Sequence, residues 1–136
     1  MIVVDTGVLF AVADAADGDH HSCDELLADH PGELMVPTPV IVESSWLIES
    51  RLGPAAEAAF LGSVVDGELI RVDLEGVDWA RCVELIGAYA DLGLGLVDAS
   101  VVAVAERLKV TAVATLNHRE FRVVRPRHVE AFDLLP

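Results

Sequence analysis

Cysteine is scarce: Cys23 and Cys82 are the only two, far apart and without a CxxC partner. That excludes a zinc-ribbon or disulfide scaffold, and both thiols sit in helical patterns beside apolar residues, as core or boundary positions. Lysine occurs once, at Lys109, and Lys plus Arg number 9 against 23 Asp plus Glu, a formal net charge of −14. Counted over the whole chain, that shortage of cations argues against a nucleic-acid partner, because phosphate binding normally rests on a basic face. Aromatic residues are only 5% of the chain, so the core must be built from Val, Leu, Ile and Ala. The opening MIVVDTG carries no basic region before its apolar run and reaches Asp5 at once, so no secretory leader is expected. No stretch approaches the roughly 18 uninterrupted apolar residues of a membrane span, and Asp98 interrupts the most apolar one. A soluble, cytoplasmic protein is the expectation.

What the chain does have is apolar content, 53% of 136 residues, with no low-complexity segment. This length suits a single domain over 1–136, able to bury roughly two thirds of its unfolded surface without a metal or disulfide. Apolar runs at 2–4, 34–36 and 111–116, with a weaker one at 69–74, predict strands, several of them buried on both faces. Between them lie helical patterns: one from about Val8, one over His20–His30, one opened by Thr38 and Pro39, and one over about 55–65. Others run from Gly76 to about Asp91, with Val77, Val83, Leu85, Ile86 and Tyr89 as the apolar side, and from Asp98 through Val101, Val104, Ala105 and Leu108. A turn or short helix at Arg119–Phe121 and a last short strand near Phe132–Leu134 complete the pattern. Alternating strands and helices predict a three-layer α/β/α sandwich around a central parallel sheet of about 4–5 strands.

In such sheets the functional crevice lies at the carboxyl ends of the strands. Asp5 ends the first strand, Asn117 ends TAVATL, Glu43 lies early in the helix after the second strand, and Asp98 opens the helix leading into TAVATL. Each residue alone has a plain structural account. Asp98 suits a helix N-cap, Asp5 a cap for the next helix, Asn117 a turn, and Glu43 a solvated helix face, although Val40, Ile41, Val42, Trp46 and Leu47 surround it. Together they describe one mouth. Converging carboxylates repel and raise one another's pKa unless a cation intervenes. Mg²⁺ or Mn²⁺ resolves the conflict, since both prefer oxygen ligands, and such an ion polarises phosphoryl oxygens and activates water.

The stretches IVVDTGVL, VPTPVIVESSWL, GLGLVDASVVAVAERL and ATLNHREF resemble, in order and spacing, the PIN-domain ribonucleases, specifically toxins of the VapC (virulence-associated protein C) type. The resemblance covers essentially the whole chain. It implies a PIN fold and a Mg²⁺-dependent endoribonuclease, with Mn²⁺ able to substitute, acting as the toxin of a toxin–antitoxin pair. By it Asp5, Glu43 and Asp98 take the family's acidic positions, Asp5 and Asp98 being the main metal ligands, while Thr6 and Thr115 line the cleft. The family usually carries Asp where this chain has Asn117, so the resemblance implies one firmly held ion and an amide that positions water or a second ion. It also implies RNA as substrate (tRNA, rRNA or mRNA), cut to a 5′-phosphate and 3′-hydroxyl. The implied partners are a cognate antitoxin and a second copy of the chain joined through apolar helix faces.

Local charge bears on the substrate. Arg119, Arg122, Arg125 and Arg127 follow Asn117, so residues 117–136 carry a net +1 while 1–116 carry −15. An RNA backbone passing the crevice would meet these arginines, or they are an ordinary charged surface; the sequence favours neither. His20 and His21 beside Asp14, Asp17 and Asp19 match no zinc spacing and suit a solvated helix start. Trp46 and Trp79 fall at apolar helical positions, as packing or interface residues. Gly93 and Gly95 lack the third glycine of a dinucleotide loop. A phospho-receiver would need paired acids after the first strand and a lysine near the last, whereas Thr6 follows Asp5 and Lys109 is the only lysine. A haloacid-dehalogenase-type phosphatase needs Asp where Gly7 stands. A PIN-like binding module without catalysis is the remaining alternative.

Overall fold

The computed structural model describes residues 1–136. Five strands, β1 (Ile2–Val4), β2 (Leu34–Pro37), β3 (Ile70–Val72), β4 (Ala112–Ala114) and β5 (Asp133–Leu135), form one sheet in the order β3-β2-β1-β4-β5. Every neighbouring pair is parallel, with Ile2 opposite both Leu34 and Ala112. Helices α1 (Thr6–Ala13), α2 (His20–Ala28), α3 (Thr38–Leu52), α4 (Pro54–Val65), α5 (Gly76–Ala88), α6 (Leu96–Leu108) and α7 (His118–Val123) flank it, with a 3₁₀ turn at Ala90–Leu92. This is the three-layer α/β architecture that the alternating pattern predicts.

The sheet is apolar because helices cover it. Val3, Val4, Val36, Val113 and Ala114 are fully or almost fully buried, the aliphatic composition that parallel strands with both faces covered require. Helix α6 is buried almost all round, from Ala99 to Glu106. β1 is central, with β2 on one side and β4 on the other. The chain therefore winds outward in opposite directions from β1, and the switch point lies at the carboxyl ends of β1 and β4, where such sheets open a crevice.

Several boundaries differ from the pattern, each for a local reason. Helix α1 starts at Thr6 rather than near Val8, because the Asp5 carboxylate accepts the Thr6 N–H and caps the helix. At α3, Pro37 is the cap and Thr38 the first helical residue; the Thr38 hydroxyl donates to Asp73 at 2.6 Å instead. Gly95 is the cap of α6, so Asp98 is a first-turn residue and does not open the helix. Gly93, at φ 73°, turns the chain from the 3₁₀ turn towards it, a conformation glycine adopts without a Cβ clash.

The largest revision concerns α5. Its buried side is Asp78, Cys82 and Leu85, while Val77, Val83 and Ile86 are exposed. Ion pairs explain the inversion. Asp78 accepts from the Arg107 guanidinium of α6 at 2.9 Å and from the Glu75 N–H at 2.9 Å, so the polar residue turns inward. Next to it Arg81 donates twice to Glu106, at 2.7 and 3.0 Å, and Glu106 also accepts the Arg127 N–H at 2.7 Å. Burial alone would push the Glu106 carboxyl up, but these donors and the neighbouring cations hold it below its ordinary value. Trp46 and Trp79 are likewise exposed rather than packed inside. Cys23 and Cys82 are buried free thiols.

Candidate active site

Asp5 is positioned by three backbone and side-chain contacts. Its N–H donates to the Ala114 carbonyl at 2.9 Å, continuing the β1–β4 ladder beyond the strands. One carboxylate oxygen accepts the Thr6 N–H at 2.8 Å, and the other accepts the Thr115 hydroxyl at 2.9 Å. The carboxylate is thus buried at the switch point with both oxygens oriented. Burial raises its pKa; the Thr6 and Thr115 donors oppose the rise, and the charges of Glu43 and Glu120 add to it.

Asp98 is half-buried in the first turn of α6, one position beyond Val97. Its pKa is pushed up to about 6, first by burial, then by the charges of Asp5 and Glu120, with Glu43 adding less. The Gly95 backbone is the one influence that lowers it. No lysine or arginine offsets either aspartate. Glu43 is exposed on α3 at the rim, near enough for its charge to reach both aspartates.

The other nominated residues fall around this pair. Thr115 is fully buried and bonds Asp5. The Thr6 hydroxyl is buried beside Asp5 with no hydrogen-bond partner in the chain. Asn117, half-buried, donates its N–H to the Thr115 hydroxyl at 3.0 Å and its side-chain amide to Glu120 at 2.6 Å. Arg119 is exposed on α7 and forms no ion pair. The arginine cluster divides: Arg127 pairs with Glu84, and the Arg125 guanidinium donates to the Arg122 carbonyl at 2.8 Å. Arg119, Arg122 and Arg125 are the three whose charges no acid neutralises. The His20 Nδ1–H donates to the Ala11 carbonyl at 2.8 Å, tying α2 to α1, and His21 meets Glu25 in an exposed pair.

Glu120 is the residue that sequence reasoning missed. It lies in a six-residue helix, where H-R-E reads as a charged surface turn. The available signal was its three-residue spacing from Asn117, directly before the core residue Phe121.

A divalent ion suits this donor set. All the candidate ligands are hard oxygens, the carboxylates repel without a compensating cation, and a buried hydroxyl stands unpartnered at the same strand end. No three His, Cys, Asp or Glu side chains are gathered closely enough to enclose an ion by themselves. The fit is therefore to an ion that keeps water in its shell, as Mg²⁺ does.

A parallel sheet ordered β3-β2-β1-β4-β5, with acids at its switch point, defines an acidic-site α/β protein. The PIN domain model matches residues 2–125, and the chain belongs to that family. It is similar to Ribonuclease VapC26 of Mycobacterium tuberculosis, 28% identical over 135 residues, spanning 99% of this chain and 100% of the relative. Among solved structures it resembles M. tuberculosis VapC20, described as a Sarcin-Ricin loop cleaving toxin, at a TM-score of 0.77 and 22% identity over 83% of this chain and 87% of that one. It also resembles VapBC2 from Rickettsia felis bound to a promoter DNA fragment, at a TM-score of 0.69 and 17% identity over 100% of both chains.

Proposed function

We propose that this chain is a Mg²⁺-dependent endoribonuclease and the toxin of a toxin–antitoxin pair. The observation that carries the reading is the Asp5–Asp98 pair at the switch point, each raised in pKa by burial and by the other acids, with no protein cation to relieve it. The likeness to Ribonuclease VapC26 supports the choice of RNA among phosphodiesters. Asp5 and Asp98 hold the ion directly or through water, Glu43 approaches from the rim to add a ligand or orient the attacking water, and Thr115 keeps Asp5 aimed. When bound, the ion polarises a phosphoryl oxygen and lowers the pKa of water. Arg119 offers an unneutralised donor beside the mouth for an RNA phosphate.

Two protein partners follow from the surface. An acidic cleft on a chain of net charge −14 is a receptor for an arginine or lysine of an antitoxin arm. The neighbours solved as toxin–antitoxin complexes, from Klebsiella pneumoniae among others, support that pairing. A second copy of this chain covers the exposed apolar side chains Trp79, Val83 and Ile86 of α5 with Val42 and Trp46 of α3. These five side chains are all exposed, and their tryptophans are the residue type that interfaces concentrate. The same two helices wall a groove of about 620 Å³ that includes Glu43, so this interface would run to the edge of the acidic site.

The purified protein should cleave RNA with Mg²⁺ or Mn²⁺ and stop with EDTA. Asp5→Asn and Asp98→Asn should each lower the rate by at least about a hundredfold. Cleavage that persists in both variants or in EDTA would exclude this mechanism. A folded protein with no cleavage of any RNA offered would favour the binding-module alternative.

A further inference from the structure

Resting on the RNA reading above, we propose that Arg119, Arg122 and Arg125 form a phosphate track that leads away from the acidic mouth. It seats the RNA backbone beside the cut and leaves the scissile phosphate to the ion and the acids.

The supply of free cations leads to these three. Of the nine Lys and Arg residues, Arg71, Arg81, Arg107 and Arg127 are held in ion pairs, and Arg51 lies over the Phe10 ring at 5.4 Å. Lys109 closes the far end of α6, roughly 16 Å along the helix from Asp98. Arg119, Arg122 and Arg125 remain, all exposed and spaced by three. On α7 that spacing puts Arg119 and Arg122 on one face, about 5–6 Å apart at Cβ. Arg125 follows directly beyond the helix.

The track starts at the site and is held rigidly. Asn117, directly before α7, donates its N–H to the Thr115 hydroxyl, which in turn bonds Asp5. Phe121 and Val124, between the arginines, are buried. The Arg125 N–H donates to the Tyr89 hydroxyl at 2.8 Å, and one of its guanidinium N–H groups donates to the Arg122 carbonyl at 2.8 Å, leaving others for a ligand. Glu120, the one acid on α7, accepts from the Asn117 amide and pairs with none of the arginines. No arginine is among the charges that shift Asp5 or Asp98. The three therefore stand outside the metal site, where they do not compete with its cation, and what they can reach is a phosphate next to the one being cut. Contacts of this kind fix the register of a strand without reading its bases.

Titration of fluorescein-labelled transfer RNA with the full chain at several salt concentrations, followed by anisotropy, tests this. Ca²⁺ replaces Mg²⁺, gels confirm that the RNA stays whole, and thermal melts confirm the fold of each variant. Arg119→Gln, Arg122→Gln and Arg125→Gln should each lower the salt slope of log Kd by about 1, and the triple variant should lose about tenfold or more in affinity. Arg122→Lys keeps the charge and should keep most of the affinity. Arg71→Gln removes the same charge from an exposed pair elsewhere and should leave the slope at the wild-type value. In Mg²⁺, on RNA that the wild type cuts, the triple variant should raise KM more than it lowers kcat. Unchanged slopes in all three single variants, or a loss in Arg71→Gln as large as in Arg122→Gln, overturns the track. Arginine-dependent binding by a wild type that cuts no RNA supports the track while overturning the nuclease reading.

Discussion

Asp98 is a carboxyl whose pKa, about 6, lies close to neutrality because burial and three acids favour its protonated form. The folded chain binds the proton more tightly than the unfolded chain, so this group's contribution to stability is largest below about pH 4 and is lost as pH rises to about 6. Asp98→Asn should therefore stabilise the metal-free protein at pH 7, by about 1 kcal/mol once solvent screening is allowed for, and have little effect near pH 4. Thermal melts of both proteins in EDTA at the two pH values test this; equal melting temperatures at pH 7 would contradict the burial of a charged Asp98. Metal should reverse the order, because the wild type gains from binding and the variant does not.

Helices α5 and α6 are joined by ion pairs of unequal consequence. Asp78 is buried and shared between the Arg107 guanidinium and the N-terminus of its own helix. Asp78→Ala strands Arg107 and uncaps α5, and should cost about 3 kcal/mol in urea unfolding. The exposed Arg71–Asp73 pair, 3.1 Å apart, is the control, and Arg71→Ala should cost under about 1 kcal/mol. These pairs also show where sequence reading stops. The pattern over α5 contains two apolar stripes, and periodicity does not say which faces inward. Asp78, a charge placed on the buried one, decides it through Arg107, which lies 29 residues away. By contrast α6 and β1 were legible, since runs such as ASVVAVA and IVV leave no polar face to choose. Asp5 and Asp98 were legible for the same reason, as the acids that interrupt those runs. Glu120 was not, because only the fold brings α7 beside them.

For the whole molecule, the unpartnered face of α3 and α5 predicts self-association. Trp79→Glu together with Val83→Glu, both on the exposed side of α5, should convert a dimer into a monomer in analytical ultracentrifugation without lowering the melting temperature. A monomeric wild type at micromolar concentration would exclude that face as the dimer interface. The distribution of charge has its own consequence. Residues 1–116 carry a net −15, and the unneutralised Arg119 and Arg122 lie on the short helix that also carries Glu120. A polyanion drifting towards this molecule is repelled by its net charge and meets two unneutralised arginines together on that helix. Its encounter is thus an angular filter rather than a general attraction, and modest salt, by softening the repulsion elsewhere, should quicken productive collisions as often as it slows them.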